Sequence, residues 1–545
     1  MTGGDSLTAS RYTPAATSPS SLAFARRYHD PPSSPTPRQT VTIGFISFLL
    51  MLSVSLALDA AVRPRHRDRG STLRSAPGLI LHCLTMTALF GLILALSGSA
   101  PVAASLIVAL MAVFVTASNA KHAMLGEPLL FSDLALLSAL VRHPGFYFTA
   151  LSTPQKSGLA IGALGLLLAL VWLFVPHLTP HLVGSGVLLL AGGTLAALLR
   201  GKAFAGLARI PDIDADLARH GLIATLLLYW QRWRETPDPP LCPTEFSDGS
   251  LPATDPAAEC AQPDLVIVIQ CESFADPVDL TNDPRHALPG LARARATASQ
   301  WGNLGVSGFG AYTMRTEFGV LFGRSEAALG FRRYDPFLTA QREGSYALSA
   351  RLGASGYGCL FVHPHDLRFY GRDQMMPAIG FDRLIGEEHF PPAEPGTGRY
   401  VADRTLGASL RKLIDDAAEP TFLYAVTMEN HGPWMKDRVT GSPGGLDAYL
   451  HHVRNSDTML TELIDDLADT SRSALLVFFG DHRPSIPGVA EPGPVRHTPY
   501  VMLRFVDGKP IPAPVTGADG RIDLTPDQLH HAILRAVRGA SVTSA

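Results

Sequence analysis

The segment "LLVFFGDHRPS", residues 475–485, has the pattern of a buried strand that ends in charged residues. Its first five residues are apolar, and they lead through Gly480 into Asp481, His482 and Arg483. Charged groups are costly to bury unless they are paired or bound to a ligand. The end of this strand is therefore expected to bind a partner of opposite charge.

The C-terminal half of the chain repeats this pattern. From residue 264 onward, short apolar runs alternate with segments of helical periodicity, such as 404–417 and 448–468. The runs are "LVIVIQ", "GCLFVH", "TFLYAVT" and "ALLVFFG". This alternation predicts one α/β domain with a largely parallel sheet over residues 264–545.

A second strand also ends in charge, because "LVIVIQCESF" leads into Glu272. Ligands of open α/β sheets bind beyond the carboxyl ends of the strands. At that edge the two carboxylates would repel each other, and a divalent metal ion bound by both carboxylates and the imidazole removes that repulsion. A helix or turn cap explains Glu272 or Asp481 alone, but both of them beside His482 favour a metal site.

The glycine-rich segment "GNLGVSGFGAYTMRTEFGVLFG", residues 302–323, lies between these strands and becomes helix-like from Thr313. A hydroxyl at a helix N-terminus lies near the positive end of the dipole and can approach a metal ion. Thr313 is therefore a candidate nucleophile. The alternative is an ordinary N-cap, with Thr316 and Glu317 following within a turn, and spacing alone favours that alternative.

The N-terminal part is of a different kind. Residues 1–38 are rich in Ser, Thr, Pro and Arg, which predicts a disordered tail. Five long apolar runs follow, and each is long enough to cross a bilayer. Residues 39–200 are thus predicted to form a transmembrane domain of about five helices, with runs at 41–62, 76–98, 101–120, 158–175 and 181–199.

Two further segments have weaker membrane signals. The stretch "EPLLFSDLALLSALV", 127–141, is short and carries Asp133, which favours an interfacial or re-entrant helix. The amphipathic segment "ARHGLIATLLLYWQRWRE" is predicted to lie as a helix at the membrane surface. A linker rich in Pro and Asp spans about 236–263, so residues 201–263 are assigned to an interfacial helix and linker.

Composition limits the remaining function classes. The formal net charge is −3, which gives no sign of a general nucleic-acid binder, and only 17% of residues are charged. Five cysteines without a CxxC pair argue against a zinc finger. Cys242 and Cys260 flank the linker and are compatible with either one disulfide or two thiols.

Six motifs together resemble the sulfatase-like branch of the alkaline phosphatase superfamily, specifically the lipoteichoic acid synthase and phosphoglycerol transferase family. They occur in the family's order, and the resemblance covers roughly residues 41–505, including five apolar spans with "EPLLFSDLALL" between the third and fourth. The motifs are "VIVIQCESF", "GAYTMRTEFG", "RFYGRDQMMPAIGFD", "VTMENHGPW", "YLHHVRNSDTML" and "FFGDHRPSIPG".

The resemblance implies a role for each matching residue. It implies metal ligation by the residues that match the family's ligand set: Glu272, Thr313, Asp481 and His482. It also implies that Thr313 is the catalytic nucleophile. Three more residues match positions that contact the substrate: Arg372 on the phosphate, Tyr370 lining the glycerol-phosphate pocket, and His431 on the substrate or leaving group.

The activity implied is transfer of phosphoglycerol from phosphatidylglycerol to a surface or periplasmic glycan or polymer, through a phosphothreonine. One divalent metal ion is implied; the family favours manganese, and magnesium or zinc also suits the ligands. A phosphoethanolamine transferase, or a sulfatase or phosphodiesterase, is the alternative. "YTMRTE" lacks the Cys or Ser of a CxPxR motif, which argues against a sulfatase.

The implied location is the inner (plasma) membrane, with several spans and a periplasmic or extracellular catalytic domain. The loop at 63–74 carries five arginines and would then be exported, whereas the positive-inside rule favours the reverse orientation. A sixth span near 127–148 would reconcile the two.

The sequence departs from the family pattern at Met314 and Arg315, after the nucleophile, and at Arg483, so the acceptor site is expected to differ.

Five further polar residues of the C-terminal half have either a structural or a functional interpretation. His363 is expected to be a satisfied polar residue at a strand end, and the role of His365 is open. His451 and His452 are expected on a helix surface, and Asp457 is expected to hold a structural hydrogen bond.

Overall fold

The structure, a computed structural model, describes six stretches of the chain: 37–64, 74–134, 153–201, 204–242, 262–512 and 521–538. Several predictions fall wholly or largely outside these residues. They are the disordered tail, most of the arginine-rich loop, the second part of the 127–141 stretch, the sixth span and most of the linker with Cys260.

The membrane domain contains helices at all five predicted positions. They are α1 (Pro37–Ala60), α2 (Ala76–Ser97), α3 (Ala100–Leu125), α4 (Thr153–Trp172) and α5 (Leu178–Arg200). In the described part of the chain, four helices are long and apolar enough to cross a membrane: α1, α2, α3 and α5. Their apolar side chains face outward as well as inward, as expected of helices surrounded by lipid.

The predicted surface helix is two helices, α6 (Ile213–His220) and α7 (Leu222–Glu235), joined at Gly221. Gly221 has φ +85, and a Cβ there would lie 2.3 Å from Asp59 Oδ2. Half of the residues of α7 are buried, and the Tyr229 ring stacks on that of Tyr334 at 5.6 Å. This segment is therefore enclosed between the membrane helices and the C-terminal domain.

Within the described residues, the C-terminal domain is built on one eight-stranded sheet. Its strands are β1 (Leu265–Cys271), β2 (Gln300–Gly305), β3 (Gly358–Val362), β4 (Arg383–Ile385), β5 (Thr421–Val426), β6 (Ala474–Gly480), β7 (His497–Val506) and β8 (Lys509–Ile511). Seven of them run in the order β2-β7-β6-β1-β5-β3-β4, and β8 pairs with β7. The strands from β6 to β4 are parallel, whereas β7 is antiparallel to its neighbours, so the sheet is mixed.

Helices cover both faces of the sheet, which explains why its central strands are continuous apolar runs. In β1, Ile267 contributes to the core on one face and Val268 to the core on the other. The helices are α8 (Pro277–Thr281), α9 (Pro289–Thr297), α10 (Thr313–Phe322), α11 (Glu326–Leu329), α12 (Pro336–Thr339), α13 (Leu348–Gly353), α14 (Arg372–Ala378), α15 (Asp403–Asp415), α16 (Gly445–Asp469) and α17 (Pro526–Val537).

Helix α16 confirms one expectation and corrects another. Asp457 accepts hydrogen bonds from the backbone N–H groups of Gly290 and Leu291, and so holds the start of α9. His452, predicted to lie on the surface, is buried and pairs with Glu429 at 2.8 Å. The prediction was wrong because its partner follows a distant strand, which helical periodicity does not reveal.

Candidate metal centre and active site

The register of two parallel strands creates the site. Strands β1 and β6 are neighbours, and Cys271 lies opposite Gly480 at their carboxyl ends. Glu272 follows the first of these strands and Asp481 follows the second, so their side chains emerge at the same edge of the sheet. The position of charge after each strand is what allowed this meeting to be predicted from sequence.

Gly480 makes the close approach of the two strand ends possible. A Cβ at this position would lie 1.9 Å from the carbonyl oxygen of Phe274, which is far inside van der Waals contact. Any larger residue would push apart the segments that carry Glu272 and Asp481.

Four predicted ligands converge at this edge. His482 Nε2 lies 3.3 Å from Glu272 Oε1 and 3.6 Å from Asp481 Oδ2. Thr313 Oγ1 lies 3.3 Å from Glu272 Oε2 and 3.4 Å from His482 Nε2. All four side chains are buried. The carboxylate and imidazole ligand atoms lie within 4.8 Å of one another, as one metal ion requires.

The hydrogen bonds around the cluster leave ligand atoms directed inward. Asp481 Oδ1 accepts the backbone N–H groups of Ser273 and His482 at 2.7 and 2.8 Å. Its Oδ2 is buried and has no hydrogen-bond partner among the described residues. His482 Nδ1 lies 3.1 Å from the Arg483 carbonyl, so Nδ1 carries a proton and Nε2 is the ring nitrogen that faces the cluster.

Electrostatics also favours a cation at this position. Burial, and then repulsion by Glu272, raises the pKa of Asp481 to about 7. Burial opposes a charge on His482, but Asp481 and Glu272 outweigh it and raise the His482 pKa to about 9. For Glu272, burial is outweighed by His482, so the Glu272 pKa is lowered. A cluster that attracts protons this strongly fits a divalent metal ion bound by two carboxylates and an imidazole.

Thr313 is the first residue of α10, and Tyr312 occupies the N-cap position in a left-handed conformation with φ 78. The interpretation of Thr313 as an ordinary N-cap is therefore wrong. Its hydroxyl points instead at Glu272 and His482, at the end of the helix where the dipole favours a developing negative charge.

Arg372 is bound by Glu317, a partner that was not predicted from the sequence. Its Nε donates to Glu317 Oε1 at 3.0 Å, and its Nη2 donates to Glu317 Oε2 in a short hydrogen bond. Both side chains are buried, so Arg372 is not a surface residue. Glu317 lies one turn after Thr313, which is the one signal that could have pointed to it.

His363 completes this arginine's surroundings. Its Nδ1 lies 3.0 Å from the Val426 carbonyl, and its Nε2 lies 3.3 Å from Arg372 Nη1. Burial, and then the charge of Arg372, lowers the pKa of His363 well below its usual range. The ring is therefore neutral, donating from Nδ1 and accepting at Nε2, as expected of a satisfied polar residue.

Aromatic and imidazole rings form a wall next to the cluster. Tyr370, in a left-handed conformation, lies under the Arg372 guanidinium with 5.2 Å between the guanidinium carbon and the ring centre. The ring of Tyr400 lies 5.6 Å from that of His431 and 5.7 Å from that of His365. Burial lowers the pKa of His365 to about 4. Tyr400 was not predicted from the sequence, because it lies in a loop without a recognisable motif.

The residues that depart from the family pattern have other partners. Met314 is buried in one of the two sheet cores. Arg483 Nη1 lies 3.2 Å from Asp279 Oδ2. Arg315 forms an ion pair with Glu127 of the membrane domain.

A scan against protein-family models matches residues 264–525 to the family described as Sulfatase. The C-terminal domain is a sulfatase-family domain. This agrees with the resemblance stated from the motifs, and the metal dependence of the superfamily agrees with the donor set described above.

Two relatives extend the similarity. The chain is 29% identical to the capsular polysaccharide biosynthesis protein RkpI of Rhizobium meliloti (strain 1021) over 456 residues, which cover 81% of this chain and 82% of that protein. It is 22% identical to lipoteichoic acid synthase 2 of Bacillus subtilis (strain 168) over 156 residues, 27% of this chain and 24% of that one.

One solved structure matches along almost the whole chain. It is the integral membrane lipooligosaccharide phosphoethanolamine transferase A of Neisseria meningitidis, with a TM-score of 0.50 and 16% identity, covering 92% of this chain and 95% of that one. At this identity the likeness shows the fold, and it confirms a helical membrane domain followed by a sulfatase-like domain. With four helices in its described residues that are long and apolar enough to cross a membrane, the chain is a membrane protein.

Proposed function

We propose that this protein is a membrane-anchored, metal-dependent phosphoglycerol transferase that works through a phosphothreonine. The observation that carries the proposal is the position of Thr313. This residue begins α10, and its hydroxyl lies within 3.4 Å of both Glu272 and His482. The same chain has N-terminal helices that are long and apolar enough to cross a membrane. A lipid donor that stays in the bilayer requires an enzyme tethered there.

Glu272, Asp481, His482 and Thr313 would hold the metal ion, and manganese, magnesium or zinc suits this set of donors. When bound, the ion supplies a positive charge that lowers the pKa of the Thr313 hydroxyl and stabilises negative charge on the phosphoryl oxygens.

In the first step, the Thr313 hydroxyl loses its proton to water, and Oγ1 attacks the phosphorus of the phosphatidylglycerol phosphodiester. The bond from phosphorus to the diacylglycerol oxygen breaks, and His431 donates a proton to that oxygen. His431 Nδ1 lies 2.9 Å from the Gly432 carbonyl, which leaves Nε2 for this transfer. The product is phosphoglycerol bound to Thr313.

In the second step, a hydroxyl of the acceptor attacks the phosphorus of the phosphothreonine and transfers its proton to His431. The bond from phosphorus to Thr313 Oγ1 breaks, and Oγ1 takes a proton back from water. The phosphoryl oxygens need cationic donors in both steps. Arg372 uses three N–H groups on Glu317 and His363, so two remain to hold the phosphate. Tyr370 lies beside it, where the glycerol moiety would bind.

The proposed acceptor is a surface or periplasmic glycan or polymer, which places the catalytic domain on the outer side of a multi-pass inner membrane protein. The names of the two relatives, which refer to capsular polysaccharide and to lipoteichoic acid, support this class of acceptor.

A phosphoethanolamine donor is the competing candidate, because the solved structure that matches 92% of this chain is that of a phosphoethanolamine transferase. The threonine chemistry is the same for both head groups. The discriminating test is incubation of the purified full-length protein in vesicles that contain either phosphatidylglycerol or phosphatidylethanolamine, each with a labelled head group. We expect diacylglycerol release and label on Thr313 with phosphatidylglycerol. Label from phosphatidylethanolamine instead would overturn the head-group assignment.

A further inference from the structure

The nucleophile helix α10 is bound to the membrane domain by a buried ion pair. Arg315 lies two residues after Thr313, and its Nη1 and Nη2 donate to Glu127 Oε1 and Oε2 at 3.1 and 2.8 Å. Glu127 lies just after the membrane-spanning helix α3. The two side chains are only 6% and 10% exposed, so this pair is enclosed between the domains.

The same arginine determines the position of the residue that precedes the nucleophile. The guanidinium carbon of Arg315 lies 3.9 Å from the ring centre of Tyr312, and Lys121 of α3 approaches that ring at 5.5 Å. Tyr312 has a left-handed backbone, which a non-glycine residue keeps only where its surroundings impose it. Because Tyr312 is bonded directly to Thr313, these contacts determine where the Thr313 hydroxyl points.

Further contacts bring the end of α3 against the loop that leads into Thr313. A Cβ on Gly310, at φ +64, would lie 3.5 Å from Leu125 Cδ2 and 2.6 Å from Ser485 Cβ. The Ser485 hydroxyl donates to the Met124 carbonyl at 3.3 Å. Part of the contact between the domains thus lies at the loop that leads into Thr313.

We propose that Glu127 and Arg315 are positioning residues through which the membrane domain holds Thr313 in its reactive orientation. This inference rests on the proposed function, because it takes Thr313 to be the nucleophile. It predicts that the ion pair affects turnover of bound lipid and leaves metal and lipid binding unchanged, since neither residue contacts the metal cluster in the structure.

The test uses the full-length protein in phosphatidylglycerol vesicles and measures diacylglycerol release against lipid mole fraction. Glu127→Gln and Arg315→Gln should each lower kcat about 100-fold, the cost expected of displacing a reacting group by about 1 Å, with KM and metal content unchanged. Arg315→Lys keeps the charge but loses the bidentate geometry, and it should fall between these variants and the wild type.

Two further variants keep the result interpretable. Glu127→Gln leaves the buried Arg315 without its carboxylate, and Arg315→Gln leaves Glu127 with Lys121 at 3.9 Å, so either single substitution can impair folding. The Glu127→Gln, Arg315→Gln double variant removes both charges of the pair. The double variant should fold and be no slower than either single variant, because both remove the same contact. The matched control is Arg333→Gln, since Arg333 also bonds to the membrane side, at the Pro211 carbonyl, without approaching Thr313. Its kcat should stay within about twofold of the wild type.

A folded double variant with the kcat of the wild type would overturn the proposal, and so would an equal loss in Arg333→Gln, which would indicate a general domain contact. The proposed function has its own test. If Thr313→Ala remains active, Thr313 is not the nucleophile, whatever the ion-pair variants show. If Thr313→Ala is inactive and the double variant is fully active, the positioning role of Glu127 and Arg315 is refuted, and the proposed function stands.

Discussion

Arg372 and Glu317 form a buried, two-pronged ion pair that links α14 to the nucleophile helix α10. An arginine expected to hold the substrate phosphate thus also fixes the helix that carries Thr313. The contact between α10 and the membrane domain, through Arg315, lies elsewhere on the same helix. Helix α10 is therefore held by two ion pairs whose partners come from different parts of the chain.

Arg372→Lys is the first prediction. A lysine keeps the charge but cannot form the planar fork to Glu317 while also donating to a phosphate. We expect glycerol-phosphate transfer to fall by at least about tenfold, as for a lost bidentate contact to a charged group. Metal content, measured on the same preparation, should be unchanged. The matched control is Arg368→Lys, an exposed arginine paired with Asp366. Near-normal transfer by Arg372→Lys would remove this residue from the site.

Thr313→Ala should abolish transfer while the protein stays folded, because it removes the attacking oxygen without adding bulk. Thr313→Ser keeps a hydroxyl at the start of α10 and should retain measurable transfer. The measurements are the transfer rate and label incorporated into the protein from a labelled donor. Activity above about a tenth of wild type in the alanine variant would exclude the covalent route.

Glu272→Gln and His482→Ala should each reduce both metal content and rate, since each removes a ligand. The control is His497→Ala, because His497 pairs with Asp279 outside the cluster. The measurement is the amount of metal bound per protein after dialysis against trace metal, which should be lower in the two ligand variants than in the wild type and the control. Wild-type metal content in both ligand variants would show that the site lies elsewhere.

Asp403 leads to a prediction about stability and pH. Burial, and then repulsion by Glu429, raises the pKa of Asp403 to about 8 in the folded protein, whereas the pKa in an unfolded chain is about 3.9. Between these values the folded state holds a proton that the unfolded state has lost, so stability falls as pH rises through this window.

Asp403→Asn removes this titration. The fall in apparent Tm of the full-length protein between pH 6 and pH 8.5, the proposed assay points on either side of the folded pKa, should therefore be smaller in the variant. Asp465→Asn, at an exposed carboxylate of α16, should keep the wild-type dependence. An unchanged slope in Asp403→Asn would show that Asp403 is not the group that titrates.

The sequence by itself determined the positions of the apolar helices and the central strands, and it predicted that Glu272, Asp481 and His482 meet at one edge of the sheet. These features are local: hydropathy marks a span, and a charge directly after a buried strand marks the carboxyl edge of a sheet. Glu272 and Asp481 could be paired in advance because parallel neighbouring strands end at the same edge.

Only the tertiary structure decided which distant side chains share a buried charge. Arg372 meets Glu317 across 55 residues, and Arg315 meets Glu127 across 188. His452, expected on the surface, is buried against Glu429 for the same reason. A buried charge requires some partner, but local periodicity does not specify a partner that packing brings from another element. The orientation of the nucleophile helix thus depends on contacts that exist only once the two domains are assembled.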